Sequence, residues 1–190
     1  EGWLSLMMLG ILLLAAILNW RYFSRIKTLF DAFFLNRFIG QLIREENIFV
    51  NRVNILLSAL YLMVVGTFSY LCIAHLGIHL PFEINPFPLF IVICTGLFLL
   101  FLVKILVVRI SGTIFSQNKA SLEYSFSILL YNQMAGVFLI PILLLVMYAR
   151  IIDPYPLLLV GIGLLVFFYL FRLFRVITGG LASPSVSLYY

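Results

Sequence analysis

The chain has 190 residues, 64% hydrophobic and 10% charged, with a mean hydropathy of +1.18. A soluble domain carries roughly half apolar and a quarter charged residues, so this composition excludes a soluble enzyme domain, a disordered tail and a disulfide-stapled secreted scaffold, and it places the chain in a bilayer. The 12 Lys and Arg against 7 Asp and Glu, a net charge of +5, suit anionic lipid headgroups at the ends of membrane spans rather than a nucleic-acid partner.

A helix needs roughly 20 residues to cross a hydrocarbon core of about 30 Å. Five apolar runs fit: 3–20, 53–78, 87–108, 124–148 and 156–171. They predict an all-α, polytopic transmembrane helix bundle forming one integral-membrane domain over 1–190. The first run ends at Asn19, Trp20, Arg21 and Tyr22, an interfacial border without a small-residue cleavage site, so it reads as a retained span. Glu1 stands where a start methionine would, so residues are expected upstream of it.

Residues 21–51 have the pattern of a cytoplasmic, interfacial amphipathic segment. At about 100° per residue, Tyr22, Phe23, Ile26, Leu29, Phe30, Phe33 and Phe34 fall within about 140° of one another, and Ser24, Arg25, Lys27, Thr28 and Asp31 take the opposite arc. Asn36 is placed to cap a second helix with Phe38, Ile39, Leu42 and Ile43 on its apolar side. A helix with this composition lies in the headgroup plane, or its aromatic face docks another protein's helix. Phe30, Phe33 and Phe34 are the candidate contact residues in either case.

Along the spans the ionisable and amide side chains are few. Cys72, His75, His79 and Glu83 stand three, four and four apart. That is helical metal-ligand spacing, but Pro81 interrupts it and no further His completes a set, so no metal is assigned. Cys72 and Cys94 lie in apolar runs and read as small buried hydrophobes rather than a disulfide. Lys104 lies inside the third span, where its stem can snorkel to the interface. Glu123 opens the fourth span, suited to a helix N-terminus and able to pair with Lys104 or Arg109 across the hairpin. Asn132 and Gln133 lie about a third of the way across that span, where lipid satisfies no amide, so they are expected to meet other helices.

Lys and Arg fix the orientation. Six lie between Arg21 and Arg52, none between His79 and Pro86, and two between Arg109 and Glu123, which puts the first, third and fifth connections in the cytoplasm and Glu1 outside. The run from Ser183 to Tyr190 reads as the start of a sixth span. A shift of 66 residues, which pairs Arg109 with Arg175, Ser121 with Ser187 and Tyr124 with Tyr190, agrees with it.

The sequence carries no phosphate-binding glycine loop, HExxH, GxSxG or nucleophile with a recognisable base, so no catalytic residue and no cofactor is assigned. The runs RYFSRIKTLFDAFFLNRFIGQLIREENIFVNR, FLVKILVVRISGTIFSQNKASLEYSFSILLYNQMAGVFLIPILLL and FRLFRVITGG resemble a Bacteroidota family of uncharacterised multi-pass inner-membrane proteins, catalogued only as a domain of unknown function. The resemblance covers nearly the whole chain and implies an inner-membrane location and one more helix after Tyr190, but no site residue. By analogy it points to envelope biogenesis or protein export. The expected function is therefore a non-catalytic inner-membrane subunit of a larger envelope complex, an accessory of protein export or secretion. Its expected partners are other integral membrane proteins and anionic headgroups at the cytoplasmic face. The alternative class is a small transporter or lipid-handling membrane enzyme using Lys104, Glu123, Asn132 and Gln133.

Overall fold

In hydrocarbon a backbone satisfies its N–H and C=O groups within a helix, so long apolar runs become helices. A computed structural model of the chain describes residues 2–34, 52–75, 85–114, 118–149 and 153–181. All regular structure among these residues is helical: α1 (Gly2–Phe34), α2 (Arg52–His75), α3 (Pro86–Ile114), α4 (Asn118–Tyr148) and α5 (Pro154–Leu181). Each contains a stretch long and apolar enough to cross a membrane, namely Gly2–Ser24, Arg52–His75, Pro86–Ile114, Tyr124–Tyr148 and Pro154–Phe174. The all-α bundle with five spans is thus as the sequence predicts; the proposed start of a sixth, 183–190, lies outside the described residues.

The helix starts refine the predicted bounds. Both α3 and α5 begin on a proline preceded by Asn85 or Asp153. Proline's fixed φ and missing N–H suit a first helical position, and a short polar residue suits the cap before it. Asn85 O accepts the first helical bond from Leu89 N at 3.2 Å.

α2 and α4 form the centre. Their most apolar stretches are 50% and 56% buried inside the chain, whereas that of α3 is 0% buried, so α3 is a peripheral helix with a mostly lipid-facing surface. Small residues set the closest approaches, as is usual where lipid supplies no hydrophobic drive between helices. A Cβ on Gly136 would stand 3.0 Å from the Tyr61 backbone, and one on Gly161 would stand 2.5 Å from the Phe68 ring. Trp3 meets Tyr70, Phe87 and Phe90 at centroid distances of 5.1, 5.9 and 5.7 Å. The start of α1, the end of α2 and the start of α3 therefore share one end of the bundle, and successive helices alternate in direction.

α1 departs from expectation. Tyr22 has non-helical angles (φ −128°, ψ 26°), and beyond this kink the helix continues to Phe34. Phe33, 5% exposed, packs on Tyr131, Phe168 and Phe171 at 5.0, 5.6 and 5.9 Å, and Phe30 packs on Phe138 at 6.1 Å. Phe33 is thus buried and Phe30 part-buried against the chain's own α4 and α5, so both rings make contacts with helices of this chain. The Phe34 side chain, Asn36 and the second predicted amphipathic helix lie outside the described residues.

Candidate functional site

The polar side chains of the spans divide into two groups on opposite sides of α4. Gln133 is 1% exposed, and its Nε2 donates to Asn54 O at 3.0 Å and to Ser58 Oγ at 3.2 Å. A carbonyl can only accept, which fixes the amide's orientation. Gln133 Oε1 and Ser125 Oγ are buried without a hydrogen-bond partner among the described residues. Gln133 thus joins α2 to α4 inside the bundle.

Asn132, one residue earlier, is part-exposed and turns the other way. It lines a cavity of about 290 Å³, near the lower end of the roughly 300–1,000 Å³ typical of ligand pockets. Its floor is Tyr61 and Val65 of α2 with Tyr131, Asn132 and Ala135 of α4. One wall is Leu97, Leu100, Phe101 and Lys104 of α3, and the other is Leu165, Phe168, Tyr169 and Arg172 of α5. Leu100 and Tyr169 are 69% and 54% exposed, so the rim between α3 and α5 reaches the lipid-facing surface.

The two walls carry the same pattern. Positions i, i+3, i+4 and i+7 share one helix face. On α3 that face runs from Leu97 through Leu100 and Phe101 to Lys104, and on α5 from Leu165 through Phe168 and Tyr169 to Arg172. α3 and α5 run in the same direction, so both walls are apolar toward mid-span and cationic at the end where α2 and α4 begin. Lys104 Nζ lies 5.8 Å from the centroid of the Tyr169 ring, a distance at which a ring face attracts a cation.

Arg172 is the polar anchor of this end. It is 4% exposed, its Nη2 donates to Tyr124 Oη at 2.8 Å, and its guanidinium carbon lies 5.1 Å from the Tyr124 ring centroid. Its Nε is buried and meets no acceptor among the described residues. A buried donor left unmade costs about 1–3 kcal/mol, more when charged.

The groove gathers Lys104 and Asn132 of the sequence-predicted residues and excludes Gln133. Arg109 is exposed further along α3, where its carbonyl accepts from Thr113 Oγ1 at 2.8 Å. Glu123 stands in α4 one residue before Tyr124, and its side chain lies outside what the structure describes, as do His79 and Glu83 of the spaced quartet. His75 Nδ1 pairs with Leu71 O of its own helix at 3.1 Å. Arg172 is not among the candidates that the sequence singles out; its register with Leu165 and Tyr169 is the signal that points to it.

A family model described as Domain of unknown function (DUF4271) matches residues 4–190. No curated protein and no solved structure matches the chain.

Proposed function

Because the chain belongs to the DUF4271 family, whose description transfers no activity, we propose a function from its own geometry: a non-catalytic, multi-pass membrane protein that holds an amphipathic ligand in the groove between α3 and α5. The observation that carries this reading is the shared register of the two walls, apolar toward mid-span and cationic at one end, which matches an amphiphile in both shape and polarity. The setting we propose is the inner membrane of a bacterium of the Bacteroidota, with Glu1 outside and the connection between α1 and α2 in the cytoplasm, as the distribution of Lys and Arg supports. There it serves as a subunit of a larger envelope assembly of integral membrane proteins, one acting in protein export. Support for that last step is family analogy.

A second reading, transport or chemical processing of the same amphiphile, is favoured by Lys104 and Asn132 sharing the cavity, while Gln133 is spent on helix contact. The first experiment addresses occupancy. Ala135 is 5% exposed and lines the floor, so Ala135→Leu narrows the groove without touching a polar group. Full-length protein purified from native membrane and examined by native mass spectrometry is expected to retain lipid through detergent exchange, and Ala135→Leu, with unchanged helical content, to lose it. Equal retention by both proteins overturns the reading.

A further inference from the structure

The polar end of the groove specifies what kind of amphiphile fits. Arg172 and Lys104 both line it. A guanidinium has five N–H donors in a planar fork. In Arg172 one nitrogen is committed to Tyr124 Oη, and the buried Nε has no acceptor among the described residues. Lys104 adds three ammonium donors at the exposed rim, steadied over the Tyr169 ring. Asn132 supplies an amide from the floor. Two cations and an amide around one small space match an oxyanion, which accepts on several oxygens and is held best where water is scarce.

The remaining wall is apolar. Leu97, Leu100, Phe101 and Leu165 lead away from the cations toward mid-span. A cavity of about 290 Å³ takes a headgroup and the first methylenes of a chain, and the open rim at Leu100 lets the rest of an acyl chain lie along the outer surface of α3. A soluble anion would leave that wall unused.

We infer that the groove between α3 and α5 binds a membrane lipid whose phosphate headgroup is net anionic, without an ammonium of its own to oppose the two cations, its oxyanion held between Arg172 and Lys104 and its acyl chain along the leucines of α3. This rests on the ligand-holding reading above and adds the chemical class of the ligand.

The test uses full-length protein in nanodiscs of phosphatidylcholine, into which phosphatidylglycerol is titrated and read by native mass spectrometry. Wild type is expected to favour phosphatidylglycerol by about tenfold, the size of one charge-assisted contact. Lys104→Gln, an exposed position that does not threaten folding, is expected to lose most of that preference, and Arg172→Gln all of it. Soluble glycerol phosphate in millimolar excess is expected not to compete. Retention of both lipids without headgroup preference, unchanged in the two variants, overturns the inference while leaving the ligand-holding reading standing. Failure to retain any lipid overturns both. Competition by glycerol phosphate as strong as by the lipid overturns the lipid assignment. A preference that emerges only in Glu123→Gln overturns the inference too, because a carboxylate of the chain then fills the anion's place.

Discussion

Asn132 and Gln133 are chemically near-identical neighbours with opposite uses. Successive residues on a helix point about 100° apart, which here separates a side chain facing α2 from one facing the groove. Gln133→Leu breaks the contacts with Asn54 and Ser58 and is expected to lower stability by about 0.5–2 kcal/mol, the range for intramembrane amide bonds, without changing lipid retention. Asn132→Leu is expected to leave stability nearly intact and to weaken retention. Thermal unfolding in detergent read beside native mass spectra separates the two, and a swap of these phenotypes contradicts the assignment. The sequence showed that both amides need partners but not which partner each has, because that depends on the rotation of α4 about its axis.

The second half of α1 shows what an amphipathic pattern leaves open. A ring faces lipid or protein for the same reason, exclusion from water, so the periodicity of Phe30 and Phe33 reads alike for a surface helix and a packed one. The structure decides for packing. Phe33→Ala leaves a hole among Tyr131, Phe168 and Phe171, and since lipid competes for apolar surface the expected loss is about 1–3 kcal/mol, below the roughly 3–5 kcal/mol of water-soluble cores. Lys27→Gln, on the exposed side, is expected to be neutral. Melting temperatures of the two variants check this, and equal tolerance would mean that α1 beyond Tyr22 contributes nothing to the bundle. Legibility followed the physics of each element: the five spans were readable because hydropathy over about 20 residues reports burial directly, whereas the kink at Tyr22 and the inward turn of the aromatic face arise from contacts far apart in the chain.

Across the molecule, the groove is a consequence of topology. α3 and α5 are separated by one antiparallel helix, so they run in parallel, and residues near their matching ends come level. That places Lys104 and Arg172 together although they lie far apart in sequence, and it explains why neither alone marks a site. The most direct check of the groove's occupancy is photocrosslinking in living cells with benzoylphenylalanine in place of Phe101, which lines the groove, and of Phe98, which is 45% exposed and lies outside the lining. Adducts at Phe101 enriched in anionic lipid, beside adducts at Phe98 that mirror the bulk membrane, are the expected result. Identical lipid composition at both positions, or polypeptide adducts in place of lipid at Phe101, would show that the groove holds no selected lipid.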